Sequence, residues 1–108
     1  MHNKLVEVLE TLNIDLAFME YEGNSSEYIV FDIYNEVDTD FSDDNSLSDT
    51  YYIQVNYWFK SIKNLNKYNQ IKDLLKNNGF IFDSAKDLKD NGYYGKNMDF
   101  IYINYKGE

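Results

Sequence analysis

The stretch TYYIQVNYWFKS at 50–61 constrains the fold more than any other. Tyr51, Ile53, Val55, Tyr57 and Phe59 point one way, and Tyr52, Gln54, Asn56, Trp58 and Lys60 point the other. A strict period of two reads as a strand with one face buried. Such a strand needs strand partners and a covering layer. Glu27–Asn35 alternates in the same way, with Ile29, Phe31 and Ile33 on one face. Asp15–Tyr21, Phe80-Ile81-Phe82 and Met98–Tyr105 supply further strand segments, and Asn91-Gly92, within Leu88–Tyr94, is a favoured hairpin turn.

Two helices offer the cover. Leu5, Val8, Leu9 and Leu12 recur at helical spacing, predicting a helix over Lys4–Leu12 with Asn3 as its N-cap. Tyr68, Ile71, Leu74 and Leu75 predict a second over Leu65–Asn78. Gly79 follows as a left-handed stop, and Lys76 suits the negative helix end. The order is helix, three strands, helix, two strands. It predicts an α+β fold, a small antiparallel sheet of four to five strands with two helices packed on one face.

With 108 residues the chain makes one domain. Roughly two thirds of the unfolded surface is buried at this size, enough for one core. There is no Cys, so there is no disulfide, thiolate zinc site or cysteine nucleophile. The first residues, MHNKLVEVLETLN, carry Glu7 and Glu10 and do not read as a signal peptide. No run approaches the ~20 apolar residues of a membrane span.

Net charge is −9, which argues against binding nucleic acid through its phosphates. Residues 1–59 hold one Lys and thirteen acids (1 − 13 = −12), whereas residues 60–108 hold nine Lys and six acids (9 − 6 = +3). The acidic and less acidic halves are candidates to meet between copies of the chain.

The acidic extreme is EVDTDFSDDNSLSD at 36–49, with five Asp, one Glu and no basic residue. Read as an EF-hand from Asp38, it offers Asp38, Asp40 and Ser42 at the first three ligand positions. It then places Asp43 where the loop needs Gly, and Asp49 where it needs Glu. The calcium reading is therefore the weaker one, and no cofactor or metal is expected. The stretch reads instead as a long solvated loop joining two strands. Glu36, Asp38, Asp40, Phe41, Asp43, Asp44 and Leu47 are candidate partner contacts on it, with the apolar Phe41 and Leu47 as anchors. Trp58, on the polar face of its strand, is either core beneath a helix or an interface anchor.

Catalytic signals are few. His2 is the only histidine, and no nucleophile elbow, phosphate loop or zinc-protease motif is present. Asp32 and Glu36 are the one carboxylate pair weighed for glycosidase-type chemistry. No enzymatic activity is expected.

The string YNEVDTDFSDDNSLSDTYYIQVNYWFK, then LLKNNGFIF, then SAKDLKDNGYYGKNMDFIYINY, spans most of residues 28–105. It resembles the small tail-completion proteins of tailed phages and prophages of low-GC Gram-positive bacteria, also called tail terminators or head–tail joining proteins. Tyr34, Glu36, Asp43, Asp44, Tyr52, Gln54, Trp58, Gly79, Phe80, Tyr94 and Lys96 occupy the family's positions, while Gly95 stands where the pattern has His. The resemblance implies a six-subunit ring, a hexamer, that caps the tail tube. Its implied partners are further copies of itself, the tail-tube protein and the head connector protein, with no specific nucleic acid and no membrane. It implies a place at the head–tail junction of the virion, reached from the host cytoplasm during assembly. The alternative that charge and size support is an acidic inhibitor or immunity-type binding protein.

Overall fold

The computed structural model describes residues 1–42 and 45–105, and the side chains of 1–39 and 47–105. Helix α1 runs His2–Leu9 and tightens into a 3-10 turn at Glu10–Leu12. Strands β1 (Asp15–Phe18), β2 (Glu27–Ser42) and β3 (Asn45–Phe59) follow. A 3-10 segment at Ile62–Asn66 leads into α2 (Lys67–Asn77). The chain ends with β4 (Ile81–Asp90) and β5 (Tyr93–Tyr105). The five strands form one sheet in the order β1-β2-β3-β5-β4. The fold is α+β, as the element order predicts. The sheet is mixed rather than wholly antiparallel, because β1 lies parallel to β2.

The period-two pattern decides what is covered. Ile29 and Phe31 of β2, Ile53, Val55, Tyr57 and Phe59 of β3, and Met98 and Phe100 of β5 are buried on one face. Leu5 and Leu9 of α1 and Ile71 and Leu75 of α2 pack against them in a single cluster. Each such side chain contributes on the order of 1.5–3 kcal/mol by leaving water. The opposite face carries Tyr28, Val30, Asp32, Gln54, Asn56, Trp58 and Asp99, and no helix lies over it among the described residues.

Local stops follow side-chain chemistry. The α2 helix ends where Gly79 takes φ 90°, its N–H donating to the Lys76 carbonyl while the Phe80 N–H donates to that of Leu75. Asn91 and Gly92 both have positive φ, 53° and 84°, and turn β4 into β5. The α1 N-cap is Met1, not Asn3; the helix starts two residues earlier than the apolar stripe indicates.

The larger correction concerns residues 36–49. They are not a loop between short strands. The β2–β3 ladder continues through Glu36↔Tyr51 and Asp38↔Asp49 to Ser42↔Asn45. The result is a molecule drawn out to 52 Å along its long axis and 23 × 22 Å across it.

Candidate docking surfaces

The far end of the β2–β3 hairpin is a ribbon. On its outer side β1 pairs only with Tyr28–Phe31, so β2 beyond Phe31 has no strand partner there among the described residues. On its inner side β5 follows β3 as far as Ser48↔Tyr105. A register shift between Ile33 and Asn35 changes which β2 residues share a face. Beyond it, Glu36 lies opposite Tyr51 and Asp38 opposite Asp49, so both acids join the face of Tyr51, Asp49 and Leu47. Val37 and Thr39 fall on the other face, opposite Thr50 and Ser48.

The two ribbon faces differ in kind. On one, Thr39 Oγ1 lies 2.5 Å from Ser48 Oγ and 3.0 Å from Thr50 Oγ1, and both Ser48 and Thr50 are buried. This hydroxyl cluster ties the two strands together. The other face carries exposed Glu36 and Asp38 with Leu47, which is 48% exposed. The alternating acids of the sequence are therefore the pleat of a strand. The EF-hand reading fails on this point, because its ligand loop must curl around an ion, whereas these residues run extended in a paired ladder.

The opposite pole is built differently. Phe59 ends β3, and Ser61 caps the following 3-10 segment, its Oγ accepting from the Lys63 N–H at 3.3 Å. In a 3-10 turn residues three apart eclipse, so Ile62 and Leu65 stand together. They are 61% and 39% exposed. With Phe59 and Tyr94 they line an apolar groove of about 360 Å³. An ion pair between Lys96 and Asp87, at 2.6 Å, forms part of its wall, and Lys89 reaches over the Tyr94 ring.

Beside the groove, the Glu27 carboxylate accepts from the Tyr57 hydroxyl at 2.6 Å and from the Lys67 ammonium at 2.7 Å. Burial pulls its pKa up, but these two hydrogen bonds and the Lys67 charge outweigh it and hold the group below the usual carboxylate range. Burial, then the bond to Glu27, pushes the Tyr57 phenol well up. The three side chains join β2, β3 and α2 and keep the groove's 3-10 wall in place.

The open sheet face at this pole is aromatic. Tyr21 stacks on Tyr28 at 3.9 Å, and Tyr93 meets Tyr28 edge-on at 5.3 Å. Their neighbouring hollow, about 340 Å³, is lined also by Asn56 and Trp58. Two of its hydroxyls are engaged: Tyr21 donates to Asp15 and Tyr93 to the Ser25 carbonyl, both at 2.8 Å. Trp58 lies against Gly95, where a Cβ would come within 2.7 Å of the indole. Trp58 is thus neither beneath a helix nor near the ribbon, and Gly95 makes room for it. Further along this face burial, then Asp99, raises the Asp32 pKa, and Asp32 Oδ1 is buried without a hydrogen-bond partner among the described residues.

Of the residues expected to make contacts, Glu36, Asp38 and Leu47 come together on one ribbon face. Trp58 sits apart from them at the other pole. Asp43 and Asp44, and the side chains of Asp40 and Phe41, lie outside the described residues. Asp32 and Glu36 project from opposite faces of the sheet, so they are no carboxylate pair. His2 is exposed, its ring edge-on to Phe18 at 4.8 Å. The groove at Ile62 and Leu65 was missed by sequence reasoning; its signal is Ser61 as a cap followed by apolar residues three apart. No protein-family model matches this chain, and no curated protein matches it.

Proposed function

We propose that this chain is a structural subunit of a tailed phage or prophage that assembles as a ring, caps the tail tube and joins it to the head connector. The observation that carries the reading is the ribbon: an acidic face with an apolar anchor, held out beyond a helix-backed body. A side chain that contributes nothing to its own core serves a partner more readily than a fold. A ring needs two unlike surfaces on each subunit, and the ribbon and the grooved pole are unlike in shape and charge.

The binding chemistry is that of protein docking. Among the described residues no group of three or more His, Cys, Asp or Glu is placed to hold a metal ion. The acidic ribbon repels passing DNA rather than gripping it, which suits a collar through which a genome travels.

The test is deletion of the chain from the phage or prophage that encodes it. The expected outcome is heads and tails that accumulate unjoined, with tubes of uneven length. Joined, infectious virions at the normal yield would overturn the reading.

A further inference from the structure

We propose that the aromatic hollow on the open sheet face, walled by Tyr21, Tyr28, Trp58 and Tyr93 with Asp90 beside them, binds a quaternary ammonium ion of the choline type. The proposal does not depend on the ring reading above.

The four rings come from four segments and are held in place by the protein. Tyr28 and Trp58 are directly opposite each other on β2 and β3, and Trp58 is opposite Gly95 on β5. Tyr21 arrives from the connection after β1 and stacks on Tyr28. Its hydroxyl donates to Asp15 at 2.8 Å and accepts from the Ser25 N–H at 2.9 Å. Tyr93 follows the Asn91-Gly92 turn, and its hydroxyl donates to the Ser25 carbonyl at 2.8 Å. Both phenol oxygens are therefore engaged within the chain, and what these two residues offer a ligand is ring. All four aromatic residues are half-buried, so the walls stand before any ligand arrives. At about 340 Å³ the hollow lies at the small end of the roughly 300–1,000 Å³ typical of small-molecule sites.

Charge selects a cation. The face of an aromatic ring is electrostatically negative and attracts an ammonium group. Asp90, the last residue of β4, is the one charged side chain in the lining, and it forms no ion pair among the described residues. Burial first, then the neighbouring phenols and Asp90, raise the Tyr28 pKa, so the Asp90 charge is felt inside the cluster. The Lys60 ammonium stands 5.0 Å from the centre of the Tyr93 ring, so a ring of this cluster already draws a cation of the chain's own.

Hydrogen bonding narrows the cation to a quaternary one. A primary ammonium gives up its bonds to water on moving in among rings and needs acceptors in exchange. Besides Asp90, the polar side chains that could supply them are mainly Asn56 and Asn91, and Asn56 Oδ1 already accepts from Asn97. A quaternary ammonium has no N–H to satisfy. Its methyl groups bury against the rings while its charge faces Asp90.

Trp58 is the only tryptophan, so its emission reads the hollow directly. Choline chloride is titrated into the full chain at constant ionic strength. The control is its neutral carbon analogue, in which a tert-butyl group replaces the trimethylammonium. A saturable change in emission is expected with choline, and binding about tenfold weaker with the analogue. Asp90→Asn, at an exposed position, should weaken choline several-fold and leave the analogue unchanged. Tyr28→Leu should remove the choline response; if that variant unfolds, Asp90→Asn decides alone. Equal binding of choline and its analogue would show a merely apolar hollow and overturn the proposal. So would choline binding indifferent to Asp90→Asn, the absence of any saturable response, or a response to glucose with none to choline.

Discussion

One strand, β3, passes through two different environments. From Ile53 to Phe59 it is backed by helices, and every second side chain is buried among Leu5, Leu9, Ile71 and Leu75. From Leu47 to Thr50 it belongs to a ribbon whose buried groups are hydroxyls, Ser48 and Thr50, and whose apolar residue Leu47 faces out. The hydrogen-bonded ladder is continuous across both. Backbone pairing sets the shape in each half, but only the first half has the side-chain burial that holds a domain together. The second half is carried by the first.

The sharpest way to break this comparison is to truncate one apolar side chain in each half. Phe100→Ala empties a fully buried site and should cost about 3–5 kcal/mol in urea unfolding. Leu47→Ala should change stability by no more than about 0.5 kcal/mol. Similar losses at the two sites would mean that the ribbon is part of the cooperative core.

A smaller effect is expected on the uncovered face. Gly95→Ala forces a methyl against the Trp58 indole and should cost about 1–3 kcal/mol. In a Trp58→Ala background the same change should be nearly silent, which a double-mutant cycle measures. Equal costs in both backgrounds would show that the backbone, not the indole, is the obstacle.

The smallest effects separate two carboxylates by sign. The folded-state pKa of Glu27 is depressed, so its stabilisation is complete above its unfolded pKa and is lost as pH falls through the folded value. Glu27→Gln should cost roughly 1 kcal/mol at neutral pH, because the partly exposed Lys67 is screened by water, and less in acid. Asp32 is the reverse. Its folded-state pKa is raised, so the penalty for its charge is absent below the unfolded pKa and complete above the folded one. Asp32→Asn should stabilise by a few tenths of a kcal/mol at neutral pH, a gain that fades in acid. Stability curves against pH that move together for the two variants would contradict these assignments.

What the sequence disclosed follows the same division. The helix-backed half was legible because burial imposes a period: Ile29, Phe31, Ile53, Val55, Tyr57 and Phe59 alternate, and Leu5 with Leu9, or Ile71 with Leu75, recur one turn apart. The ribbon was misread as a loop because neither face of it is a continuous apolar stripe. Asp, Ser and Thr are turn formers by composition, and the register shift after Ile33 breaks the alternation where the acids begin. The strand β4 was hidden for a related reason. It lies at the sheet edge, and most of its side chains meet water, so FDSAKDLKD carries little periodicity. At the docking surfaces, Leu47 was visible as an apolar residue among acids. The groove was not, since Ile62 and Tyr94 come together only in three dimensions.

The packing of the lone tryptophan on Gly95 has an optical consequence. Since Trp58 sits at the grooved pole and Gly95 also lines the groove, the chain carries a built-in fluorophore about one strand's thickness from the groove. Its emission reports on that pole alone and is blind to the distant ribbon, so any ligand or protein that docks at the groove can be followed in real time with no dye attached.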